Sequence, residues 1–71
     1  KYFIIVPITY DIIIEASKIE AELMKKGMML EPRDILIGAS AIVHKMPLWT
    51  YNLEDFERLR EFGLEIKQPE T

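Results

Sequence analysis

The chain has 71 residues, 49% of them apolar, a net charge of −3 and no cysteine. This length leaves room for one small domain, and the lack of cysteine excludes disulfide staples and cysteine-ligated zinc. The acidic balance argues against a dedicated nucleic-acid coat, which is normally basic, but phosphates can still be met through a bound cation. So apolar a chain of this size calls for a partner surface or for the rest of a larger domain. Its start at Lys1 and not at Met favours a fragment. No run nears the roughly 20 apolar residues of a membrane span and no signal peptide is visible, so a soluble cytoplasmic protein is expected.

Phe3 to Val6 is an unbroken apolar run closed by Pro7, the pattern of a central strand. Thr9 is placed to cap the following helix, with Ile8 and Ile13 spaced for a hydrophobic staple. From Tyr10 to Lys26 the residues Ile12, Ala16, Ile19 and Leu23 recur at helical spacing. Lys25 and Lys26 suit the negative end of that helix, and Gly27 supplies its left-handed stop.

Pro32 takes a favoured first helical position, and the helix to about His44 is apolar almost all round, hence buried. Leu48 to Tyr51 reads as a second short strand. Asn52 can cap a third helix whose inner stripe is Phe56, Leu59 and Phe62, stopped by Gly63. Leu64 to Ile66 reads as a third strand, and residues 68–71 as a frayed tail. The order is β-α-α-β-α-β within one unit, residues 1–67. Trp49 and the methionines Met24, Met28, Met29 and Met46 are expected to fill the core.

Chemistry gathers at two places. Asp34 stands in the first turn of the apolar helix, directly before Ile35, Leu36 and Ile37. A carboxylate there is either an ordinary helix-start acid or one held by a cation. Asn52 and Asp55 arrive where the second strand ends, the side of an open α/β sheet on which ligands bind. Asn52 is otherwise a plain cap, and Asp55 a capping-box acid. Ser40 and Thr50 could hydrogen-bond these carboxylates or simply bond backbone. His44 has no second histidine with which to share zinc, and reads as structural. No glycine-rich phosphate loop, G-x-S-x-G or thiol nucleophile is present.

The run D-I-L-I-G-A-S-A, then P-L-W-T-Y-N, then E-D-F resembles the C-terminal half of a PIN domain of the VapC toxin ribonuclease type, with L-M-K-K-G-M-M before the acid similar to archaeal members. The likeness covers Ile5 to Ile66. It implies a three-layer α/β fold around a parallel sheet, of which this chain is the C-terminal β-α-α-β-α-β portion. It also implies an acidic cluster holding Mg²⁺ or Mn²⁺ for hydrolysis of single-stranded RNA, an antitoxin protein as partner, and a homodimer.

Asp34 matches the family's third acid, Asn52 its fourth position, which is Asp or Asn, and Asp55 the acid just beyond. Thr50 and Ser40 match the supporting hydroxyls. Two further family acids would lie before Lys1, and Glu15, Glu20 and Glu22 sit on the wrong helix to replace them. The implied enzyme is therefore a metal-dependent endoribonuclease in its complete domain, with this 71-residue chain inactive alone. The alternative is a catalytically inactive PIN-like scaffold or dimerisation module. More distant is a small α/β subunit of unrelated role.

Overall fold

Residues 7–68 are described in the computed structural model. They run α1 (Tyr10–Lys25), α2 (Pro32–Val43), β1 (Leu48–Trp49), α3 (Leu53–Phe56), a 3-10 helix (Glu57–Phe62) and β2 (Ile66–Lys67). The strand expected at 3–6 and the end of the expected tail, 69–71, lie outside the described residues. Among the described residues no helix is long and apolar enough to cross a membrane.

Thr9 caps α1 as expected, its hydroxyl oxygen accepting from the Ile12 N–H at 3.4 Å. The staple does not form a buried contact, because Ile8 and Ile13 are both about half exposed. At the other end Gly27 lies at φ 71°, while the Met28 N–H reaches the Leu23 carbonyl at 2.8 Å. That pairing satisfies carbonyls the helix would leave orphaned. The end of α2 repeats it with the Met46 N–H on the Ala41 carbonyl at 3.0 Å. There Lys45 occupies the left-handed position at φ 56°, which costs a residue with a Cβ more than it costs glycine.

The third helix starts as read but tightens. Phe56, Leu59 and Phe62 are spaced three apart, which suits a 3-10 helix of three residues per turn better than an α-helix. Phe56 and Leu59 are buried and Phe62 is half-buried, so the expected stripe holds.

β1 and β2 pair in parallel, Leu48 opposite Ile66 and Trp49 opposite Lys67. Leu48, Thr50, Leu64 and Ile66 are buried and join Ile12, Ile19, Leu23, Ile35, Ala39, Phe56 and Leu59 in the interior. Each fully buried Ile or Leu contributes about 1.5–3 kcal/mol. The fold of the described residues is thus α/β, with three helices, a 3-10 helix and a small parallel two-stranded sheet.

Trp49 is not in the core. Successive strand side chains alternate, so burying Leu48 and Thr50 turns Trp49 outward, where it is 51% exposed. The methionines are not core either. Met24 falls off the Ile12–Ile19–Leu23 stripe, while Met28, Met29 and Met46 follow the helix ends, and all four are exposed.

Candidate metal centre

Helix α2 opens with Pro32 at its first position, preceded by Glu31 in extended conformation with no side-chain cap. Asp34 therefore lies in the first turn, half-buried, immediately before the buried Ile35. Its carboxyl is raised above the ordinary value of 3.8. Burial is the largest cause, followed by the negative charge of Asp55 and then that of Glu31, while Arg33 pulls the other way. The sequence reading overlooked Glu31. Its place on the preceding turn, beside Arg33, was the available signal.

The second half of the site is built by the end of β1. Thr50 is buried, and its N–H donates to the Lys67 carbonyl at 3.0 Å, extending the ladder by one bond. Its hydroxyl oxygen accepts from the Asn52 N–H at 3.0 Å, and the Leu53 N–H donates to the Tyr51 carbonyl at 2.9 Å. These bonds turn the chain sharply out of the strand and into α3. Asn52 occupies the cap position, yet its side chain makes no capping bond. Instead its amide Nδ2 donates to Asp55 Oδ2 at 3.2 Å. The expected capping roles are replaced by a direct tie between the two candidate site residues.

The Asn52 amide donates to Asp55, and the charge of Asp55 adds to burial in raising the Asp34 carboxyl. Thr50 supports this corner through its hydroxyl oxygen, which accepts from the Asn52 N–H. Ser40 does not join the site, since its hydroxyl donates to the Leu36 carbonyl of its own helix at 2.8 Å. Glu20 and Glu22 are exposed on α1 and Glu15 is half-buried there, while His44 is the exposed C-cap of α2. A cleft of about 180 Å³ between α1 and α2 is lined by Ile13, Ala16, Pro32 and Ile35 among others, but by none of Asp34, Asn52 and Asp55.

The donors at this corner are two carboxylates and an amide, hard oxygen ligands of the kind Mg²⁺ and Mn²⁺ take. Mg²⁺ is often held by one or two carboxylates together with substrate phosphates, so the set fits such an ion in kind. Burial is the main cause of the raised Asp34 carboxyl, and the part that comes from the charges of Asp55 and Glu31 is what a cation would relieve. Among the described residues there is no group of three or more His, Cys, Asp or Glu side chains placed to hold a metal. The corner thus offers a partial ligand set.

No family model matches the chain. Among known proteins it is 50% identical over 66 residues to a ribonuclease VapC1 of Methanocaldococcus jannaschii, covering 93% of this chain and 48% of that one. A VapC ribonuclease of Pyrococcus furiosus is 46% identical over 61 residues, with 86% and 41% covered. A ribonuclease VapC1 of Rickettsia felis is 34% identical over 64 residues, with 90% and 46% covered. The chain spans about half the length, or less, of the curated relatives it matches.

Proposed function

We infer, for a chain that is related to the VapC ribonucleases, that Asp34, Asn52 and Asp55 supply half of a metal-dependent endoribonuclease site of the PIN type. The observation that carries this reading is the shared corner, in which Asp55 both raises the Asp34 carboxyl and binds the Asn52 amide. These residues would hold Mg²⁺ or Mn²⁺, which when bound would supply a water of lowered pKa and offset charge on the phosphoryl oxygens.

The residues of the chain have distinct tasks in this reading. Asp34 would be a ligand, its raised carboxyl brought back down by a cation. Asp55 adds the second negative charge and fixes the side-chain amide of Asn52. That leaves the Asn52 carbonyl oxygen as a neutral acceptor for a cation or for one of its waters. Thr50 keeps the corner bent, so that Asn52 and Asp55 arrive together. The remaining acids come from the part of the domain beyond this match. The complete protein is then the toxin of a toxin–antitoxin pair, cleaving single-stranded RNA, held in check by an antitoxin protein and working as a cytoplasmic homodimer.

A second reading is a catalytically inactive scaffold. It is favoured by the neutral Asn52 and by the absence of a three-acid group among the described residues.

RNA cleavage separates the two. The isolated chain should be inactive, whereas the complete domain should cleave single-stranded RNA with Mg²⁺ or Mn²⁺ and stop in chelator. Asp34→Asn in the complete domain should lower cleavage by orders of magnitude with the fold intact. Cleavage that persists in chelator, or wild-type cleavage by Asp34→Asn, would sink the nuclease reading.

A further inference from the structure

We propose that Arg58 holds a backbone phosphate of the single-stranded RNA, the one next to the phosphate at the Asp34–Asp55 corner, so that the strand is gripped at two points. This rests on the nuclease reading of that corner and adds a substrate-binding residue to it. Arg58 follows Asp55 by three residues, where α3 passes into the 3-10 helix. Residues so spaced share a helix face, and the rise puts Arg58 about 5–6 Å further along the axis.

Its surroundings set Arg58 apart. It is half-buried, whereas every other lysine and arginine among the described residues is exposed. Among the described residues its side chain also forms no ion pair or hydrogen bond. The acids three residues to either side, which a helix would offer as partners, are engaged elsewhere. Glu61 meets Lys26 at the end of α1 through both carboxylate oxygens, and Asp55 accepts from the Asn52 amide. The neighbouring Glu57 is taken by Arg60 at 2.9 Å.

A guanidinium stays protonated, so Arg58 cannot shed its charge as a half-buried lysine could. A partly desolvated charge without a counter-charge is unfavourable, and an anion that supplies one is drawn to it. The planar fork of N–H donors fits a phosphate through two bonds at once. The chain carries a net charge of −3 and the corner holds two carboxylates, so an RNA strand meets repulsion beyond the reach of one metal ion. Arg58 offsets it beside the corner and not within it, since the charges acting on Asp34 are those of Asp55, Glu31 and Arg33.

The other use of a half-buried arginine, packing its stem on apolar neighbours, needs no anion, and salt dependence separates the two. The complete domain carrying Asp34→Asn, which leaves RNA uncut under the nuclease reading, is titrated against a fluorescent single-stranded oligoribonucleotide in Mg²⁺ over a range of KCl. Adding Arg58→Ala should weaken binding roughly tenfold. It should also lower the slope of log K against log salt by about 0.7, the share of one phosphate contact on a single strand. Arg58→Lys keeps the charge without the fork, so it should restore the slope and only part of the affinity. With Asp34 in place, Arg58→Ala should raise KM and leave kcat unchanged.

Unchanged affinity and slope in Arg58→Ala overturn the proposal. So does weaker binding with an unchanged slope and a lowered urea midpoint, the mark of a packing role. An equal loss from Lys18→Ala, an exposed cation on α1, would make the effect one of general charge and overturn it too. The predicted losses in a complete domain that never cleaves would sink the nuclease reading and leave Arg58 as the phosphate grip of an RNA-binding scaffold.

Discussion

Gly38 and Leu59 set how closely α2 approaches the segment that follows Asp55, and a single methyl group tests that approach. A Cβ at Gly38 would fall inside the van der Waals shell of Leu59 Cδ1 and 3.8 Å from its Cγ. Leu59 is fully buried, so its side chain must give way against its packed neighbours. Two effects oppose each other in Gly38→Ala. Replacing a mid-helix glycine with alanine gains about 1 kcal/mol of helix propensity. Forcing one carbon into a filled interior costs about 1–3 kcal/mol.

Overpacking should win, leaving Gly38→Ala less stable by roughly 0–2 kcal/mol. Leu59→Ala alone should cost about 2–5 kcal/mol. In the Leu59→Ala background the space exists, so Gly38→Ala should reverse sign and stabilise by about 1 kcal/mol. Urea unfolding of the four proteins, followed by far-UV circular dichroism, gives a coupling of about 1–3 kcal/mol if the reasoning holds. Additive effects, or a stabilising Gly38→Ala on its own, would show that this contact does not set the spacing.

Ala39 is fully buried beside it, and Ala39→Leu should destabilise by about 1–3 kcal/mol; a neutral denaturation midpoint would contradict central burial of α2. The raised Asp34 carboxyl makes the fold more stable below the ordinary carboxylate value and loses that advantage as pH rises through the raised value. Asp34→Asn should therefore be at least as stable as wild type at neutral pH, with the gap closing on acidification. A variant clearly less stable at neutral pH would reverse the sign of that argument. Asp55→Asn should bring the Asp34 pKa down in an NMR titration, and an unmoved value would separate the two carboxyls.

Much of this fold is legible in local pattern. Thr9, Gly27, Pro32 and Gly63 mark their element boundaries because capping and left-handed turns depend on neighbouring residues alone. The Ile12–Ile19–Leu23 stripe is equally local. Trp49 was misread because hydrophobicity argued for burial, while the two-residue strand alternation, set by pairing with a distant β2, turned it outward. The exposed methionines show the same limit, since apolar residues at helix ends need a surface from elsewhere before they can be buried. The Asp34–Asp55–Asn52 grouping was read from motif resemblance and strand-end position. That Asn52 would spend its amide on Asp55, and Ser40 its hydroxyl on Leu36, depends on side-chain geometry that spacing does not carry.

Mn²⁺ titration of the chain, followed by carboxyl and amide NMR signals, addresses the candidate site most directly, because a paramagnetic ion broadens the groups nearest to it. The account predicts that Asp34 and Asp55 carboxyl signals and the Asn52 side-chain amide broaden first and together, and that excess Mg²⁺ restores them. Broadening that begins at Glu20 or Glu22 on α1, or that spares Asp34 while other acids respond, would contradict a cation held at this corner.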